Sequence, residues 1–125
     1  MKIETDYLIL GSGIAGLTVA IKLAEQFPDR KILIVTKSNA DESNTKYAQG
    51  GIAVVIDGID DDFEKHINDT LICGDGLCNR EVVEMVVKKG PKRLKELIDW
   101  GTNFDLTAEG NLDLAKEGGH SNHRV

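Results

Sequence analysis

An α/β fold organised around a parallel sheet is predicted by three observations: the unbroken apolar run Tyr7-Leu8-Ile9-Leu10, the glycine-rich turn Gly11-Ser12-Gly13-Ile14-Ala15-Gly16 directly after it, and a second apolar run, Ile32-Leu33-Ile34-Val35. Short continuous apolar strands belong to sheets buried on both faces, so the first run is expected to be a central strand. Between the two runs, Leu17, Ala20, Ile21 and Ala24 recur at helical spacing until Phe27-Pro28-Asp29 ends the pattern. The result is a strand, helix, strand unit whose crossover is expected to be right-handed.

Beyond that unit the chain changes character. Lys37 to Gly51 is polar and ends in glycines, with no helical or strand period, and reads as a long functional loop. It leads into a small apolar strand, Ile52-Ala53-Val54-Val55-Ile56. After the acidic turn Asp57 to Asp62, His66, Ile67, Thr70 and Leu71 predict a short helix, and Val82, Val83, Val86 and Val87 the apolar face of another. Gly90-Pro91 fits a glycine closing that helix and a proline opening the next, which carries Leu94, Leu97 and Ile98 toward Trp100-Gly101. Thr102 to Val125 is rich in turns.

Composition narrows the function. The 125 residues suit one ordinary domain, and 41 % hydrophobic with 29 % charged residues is a globular profile. A net charge of -6 argues against nucleic acid as a partner, since that role needs clustered cations to replace phosphate counterions. No apolar stretch approaches the roughly 18 residues that span a bilayer, and no signal-peptide core follows Met1, so a cytoplasmic location without membrane contact is expected. Cys73 and Cys78 are too few for a disulfide framework and lack the partner pair of a zinc site; buried thiols are expected. Asp60-Asp61-Asp62 lacks the spacing of a cation loop and reads as a solvated turn, so no metal is expected. His66 and His123 receive no role.

The chemistry sits first in the glycines. Gly11 permits a tight turn, Gly13 lets backbone approach a pyrophosphate, Gly16 packs helix on strand, and the helix N-terminus favours the anion. This is a Rossmann-like, dinucleotide-binding fingerprint in its proper context. The second strand ends Val35-Thr36-Lys37, without the acidic side chain that usually meets the ribose hydroxyls. Lysine accepts no hydrogen bond, so the ribose must be held differently, and FAD, NAD and NADP all stay open on local physics.

Ser43-Asn44-Thr45-Lys46-Tyr47-Ala48-Gln49-Gly50-Gly51-Ile52-Ala53, taken with the opening fingerprint, resembles the flavoproteins of the succinate dehydrogenase, fumarate reductase and aspartate oxidase superfamily. The resemblance covers essentially the whole chain. It implies that residues 1–125 are the N-terminal part of a Rossmann-like FAD-binding domain, incomplete at the C-terminus, with the rest of that domain and a capping domain absent. Exposed sheet edges and no turnover by this piece alone are expected in consequence. Members that tether FAD covalently carry a histidine before the loop threonine; Asn44 stands there, which implies non-covalent FAD. Asp69-Thr70-Leu71-Ile72-Cys73-Gly74-Asp75-Gly76-Leu77-Cys78, Lys37 and Lys116-Glu117-Gly118-Gly119-His120-Ser121 are similar to the L-aspartate oxidase branch.

That branch implies oxidation of L-aspartate to iminoaspartate with oxygen or fumarate as acceptor, the first step of de novo NAD biosynthesis via quinolinate, with quinolinate synthase as a partner. Carried over by position, Ser12, Gly13, Ile14 and Ala15 meet the FAD phosphates, Gly11 and Gly16 belong to the same cofactor-binding turn, and Lys37 lies by the adenosine. Asn44, Thr45, Lys46, Tyr47, Ala48, Gln49, Gly50 and Gly51 wrap the flavin. Glu117 orients the substrate through its amino group, with His120 and Ser121 beside it. A charge-assisted hydrogen bond of that kind discriminates against a substrate lacking the donor. Two other classes fit the same residues: a soluble fumarate reductase or succinate dehydrogenase-like flavoprotein, and a short non-enzymatic nucleotide-binding protein.

Overall fold

A computed structural model describes residues 2–48, 51–56 and 60–124. The chain divides into two compact units, residues 1–50 and 51–125. In the first, β1 (Tyr7–Leu10) pairs in parallel with β2 (Ile32–Val35), with Tyr7 opposite Ile32 and Leu10 opposite Val35, and α1 (Ile14–Gln26) connects them. Asp6 fixes the register at its open end: its carboxylate accepts the Lys31 N–H at 2.8 Å and Arg30 Nη1 at 3.2 Å. The backbone hydrogen bond from Lys31 holds the Asp6 carboxyl below its usual range, against a smaller upward push from desolvation. Tyr7 and Phe27 stack with ring centroids 6.0 Å apart, closing the crossover.

The expectation of a strand buried on both faces is not met within this chain. Leu8 and Leu10 are 58 % and 77 % exposed, because β2 is the only strand beside β1 among the described residues. For the same reason Ala20 alone of the four expected inner positions of α1 is buried, while Leu17 and Ile21 stay exposed.

The long polar loop is not wholly irregular. One helical turn, α2 (Asn44–Tyr47), starts where Ser43 Oγ accepts the Lys46 N–H at 3.2 Å, a side-chain cap that a periodicity search over four residues does not register.

In the second unit, α3 (Phe63–Cys73) is capped by Asp62, whose Oδ1 accepts the Lys65 N–H at 2.8 Å. It packs on α4 (Arg80–Asp99), a single helix where two are expected. Pro91 has no N–H to give the Val87 carbonyl, yet the helix runs through it. The reason is packing: Val83, Val87, Gly90, Leu94 and Leu97 form one inward stripe, with Val87 and Leu94 buried. A Cβ on Gly90 would lie 3.4 Å from Val54, so the glycine serves close packing rather than a left-handed cap. Val82 and Val86, expected on the inner face, are exposed.

The expected strand Ile52–Ile56 makes no ladder among the described residues, although Val54 and Val55 are buried and Val54 shares a core with Leu94, Phe104, Leu112 and Leu114. Cys73 is exposed rather than buried, and both cysteines are free thiols. No described helix is long and apolar enough to cross a membrane.

Candidate functional site

The first unit carries a cleft of about 770 Å³ at the C-terminal ends of β1 and β2. One wall is the glycine turn, Leu10 to Gly13; the other is Val35 to Ser38, continuing to Glu42, Ser43, Asn44, Thr45 and Tyr47. Gly11 adopts φ +102°, a left-handed conformation that a side chain would strain, and its N–H donates to the Val35 carbonyl at 2.8 Å. Gly16 does not line the cleft: it lies under the Gly11 carbonyl, where any Cβ would stand 2.2 Å from that oxygen.

Helix α1 therefore aims its N-terminus at the cleft with no side-chain cap from Gly13 and no acidic residue in its first turn. Such an end attracts an anion through its unpaired N–H groups and its dipole. Thr45 Oγ1 accepts the Ile14 N–H at 3.1 Å, which ties the loop to the helix end, and Ser12 Oγ donates to Thr36 Oγ1 at 3.4 Å across the cleft floor.

Of the sequence-expected residues, Gly11, Ser12, Gly13, Lys37, Asn44, Thr45 and Tyr47 line this cleft. Ile14 contributes its backbone N–H, and Lys46 is turned to ion pairs with Asp41 and Glu42. Ala48 follows α2 and is exposed; Gly51 belongs to the second unit, and Gln49 and Gly50 lie outside the described residues. No lone histidine ring is present at position 44 to carry a covalent tether; an amide stands there.

Glu117, His120 and Ser121 lie together on a hairpin closed by the Ala115 and Arg124 backbone pair, 2.9 Å in each direction. His120 N–H donates to the Glu117 carbonyl at 3.0 Å, and the Glu117 N–H returns to His120 Nδ1 at 3.4 Å. Among the described residues no hydrogen bond or ion pair engages the exposed Glu117 carboxylate. Ser121 N–H and Oγ both donate to Asp69 Oδ2, at 2.8 and 2.9 Å.

The hairpin is anchored by groups the sequence did not reveal. Arg124 is 1 % exposed and donates to both oxygens of Asp61, at 2.7 and 3.0 Å, and to Asp69 at 2.8 Å. The acidic run is a solvated turn only in part: Asp60 and Asp62 are exposed, Asp62 as a helix cap, but the Asp61 side chain is wholly buried. No local signal pairs residues 61 and 124. Among the described residues no group of histidine, cysteine and carboxylates is arranged to hold a metal.

Two of these groups titrate abnormally. Burial, then the neighbouring Arg124 charge, pushes His66 below its ordinary 6.5. Burial pushes Asp69 up, but the Ser121 N–H, Arg124 and the Ser121 hydroxyl outweigh it, and the net shift is below 3.8. Both shifts make the unfolded chain bind more protons, so stability rises with pH. The His66 contribution is present above pH 6.5 and lost below it; the Asp69 contribution is lost as pH falls below 3.8. Denaturant midpoints followed from pH 8 to pH 3 are expected to show a first decline beginning near 6.5, absent in His66→Leu, and a second at acid pH.

Comparison with known proteins decides the family. The model of the FAD binding domain matches residues 6–125. This chain belongs to the FAD binding domain family. The FAD-binding domain is 44 % identical over 120 residues to L-aspartate oxidase 2-b, chloroplastic, of Nicotiana tabacum, covering 96 % of this chain and 18 % of that protein. It is equally 44 % identical over 120 residues to L-aspartate oxidase, chloroplastic, of Arabidopsis thaliana, with the same coverage of 96 % and 18 %. Among solved structures it superposes on E. coli quinol fumarate reductase with a TM-score of 0.87 and 34 % identity, covering 98 % of this chain and 21 % of that one. The chain spans about a fifth of the length of these relatives. FAD is the cofactor of the family, and the strand-helix-strand unit is its Rossmann-like core.

Proposed function

We propose that this FAD-binding domain belongs to an L-aspartate oxidase, which oxidises L-aspartate to iminoaspartate with oxygen or fumarate as acceptor. The reaction would open de novo NAD biosynthesis, with quinolinate synthase taking the product in the cytoplasm. The observation that carries this reading is the 44 % identity with two L-aspartate oxidases, set against 34 % for quinol fumarate reductase.

The chain's own residues suit the parts assigned to them. The α1 N-terminus, which Gly13 leaves without a side-chain cap of its own, binds the pyrophosphate together with Ser12, and the wall from Asn44 to Tyr47 flanks the ring and its side chain. Bound FAD supplies a hydride acceptor for the substrate α-carbon. Glu117 presents an unpaired carboxylate on a turn fixed at both ends, and it receives the substrate ammonium, with His120 and Ser121 shaping the same turn. Asn44 offers no ring nitrogen, so the FAD is held without a covalent bond. This chain spans about a fifth of the length of the oxidases it matches, and alone it is expected to show no aspartate-dependent peroxide formation.

The test is reduction of the flavin in the full-length protein under anaerobic conditions. L-Aspartate should bleach it and succinate should not. Glu117→Gln should raise the KM for aspartate by about tenfold or more, as loss of a charge-assisted hydrogen bond requires, and leave flavin content unchanged. A second reading, a soluble fumarate reductase-like flavoprotein, is favoured by the 0.87 TM-score; bleaching by succinate but not aspartate would establish it instead.

A further inference from the structure

The reading of the first unit as an FAD site leaves the adenosine ribose without a partner. Sites built on this strand, turn and helix place a carboxylate at the end of the second strand, where it accepts hydrogen bonds from the ribose hydroxyls. Here β2 is followed by Thr36, Lys37 and Ser38, and an ammonium has no lone pair to offer. We infer that Glu42, five residues beyond Lys37, supplies the displaced carboxylate and is the ribose-recognition residue of this cleft.

Several observations converge on it. Glu42 lines the same cleft as Gly13, Lys37 and Ser38, and it is the only carboxylate among the described residues that do. A turn folds the chain back at this point, the Glu42 N–H donating to the Asn39 carbonyl at 3.0 Å. The side chain is not loose: the Tyr47 hydroxyl donates to its two oxygens at 2.8 and 2.7 Å, and Lys46 Nζ stands 3.6 Å from one of them. A carboxylate has about four acceptor positions, so one phenol proton leaves room for two vicinal hydroxyls. That hydrogen bond also raises the Tyr47 phenol above its ordinary value, which keeps its proton in place as the donor.

The arrangement also excludes. A 2′-phosphate placed against Glu42 would meet a like charge at short range, which turns the cleft away from the phosphorylated dinucleotides that Lys37 alone would have admitted. Lys37 then remains for the pyrophosphate or the adenine side. Among the described residues no ion pair engages it.

This inference rests on the FAD reading of the cleft, and competition binding separates the two. Displacement of FAD from the full-length protein is measured with ADP and with 2′,3′-dideoxy-ADP, which differ only in the ribose hydroxyls. The unaltered protein should prefer ADP by about tenfold or more, the fold-change of a hydrogen bond to a charged group, and Glu42→Ala should reduce that ratio to about one. Equal affinity of the unaltered protein for the two nucleotides, a comparison that needs no variant to fold, overturns the inference. So does a Glu42→Ala protein that weakens both nucleotides alike and keeps the ratio, the outcome if Glu42 only clasps Tyr47. Failure of FAD and ADP to bind at all overturns the reading of the cleft itself, and this inference with it.

Discussion

Gly16→Ala is expected to lower FAD affinity about a hundredfold or more and to leave the purified protein colourless. The added methyl would stand 2.2 Å from the Gly11 carbonyl oxygen, 3.2 Å from its carbon and 3.4 Å from Ile9 Cγ2. The first two are backbone atoms, and Gly11 is itself pinned by its bond to the Val35 carbonyl at 2.8 Å. Relief therefore requires α1 to move off the end of β1. That displaces the helix N-terminus and the whole floor of the cleft, and overpacking of this kind costs about 1–3 kcal/mol before any ligand contact is counted. Gly13→Ala is the informative contrast. Its methyl meets Thr45 Oγ1 at 3.6 Å, an ordinary contact, so the apo protein should keep its thermal midpoint while the methyl occupies the place where a phosphate approaches. Flavin titration and thermal unfolding of the two variants check both statements: the first should lose stability and binding, the second binding alone.

Arg124→Met should destabilise the second unit by about 3–5 kcal/mol, a large share of the 5–15 kcal/mol typical of a domain. The change leaves the wholly buried Asp61 carboxylate and the Asp69 carboxylate without their cation, and the penalty is that of uncompensated charge rather than of a lost contact. The hairpin carrying Glu117, His120 and Ser121 should become protease-sensitive first, since Arg124 also closes it through the backbone pair with Ala115. Adding Asp61→Asn and Asp69→Asn to Arg124→Met should restore much of the loss. The control is Lys95→Ala, whose bridge to Asp99 is 76 % and 58 % exposed and should cost less than about 1 kcal/mol by chemical denaturation.

The part of the fold legible in the sequence is the part that is local. β1, the glycine turn, α1 and β2 are read directly because each is signalled within a few residues, and Gly11, Gly13 and Thr45 line the resulting cleft. Where long-range packing decides, local signals mislead. Gly90-Pro91 carries the grammar of a helix boundary, yet Val54 from another segment packs against Gly90 and the helix continues. Ile52–Ile56 has the composition of a strand, but a strand needs a neighbour, and the described residues provide none. The anchor of the hairpin that carries Glu117, His120 and Ser121 was the least legible feature. Asp61 looked like one member of a solvated acidic run, and its partner Arg124 stands 63 residues away. Glu42, proposed above for the ribose, gave no signal for a related reason: the usual ribose carboxylate is sought at the end of the strand, and a turn brings Glu42 to the cleft seven residues after Val35.

The most direct test of the account is the form in which the flavin is held by the full-length protein. A yellow protein whose flavin enters the supernatant on acid precipitation, runs as FAD, and is displaced before precipitation by ADP would agree with a non-covalent dinucleotide in the cleft of the first unit. Flavin that stays with the acid precipitate, or a protein that takes up no FAD at all, would contradict it.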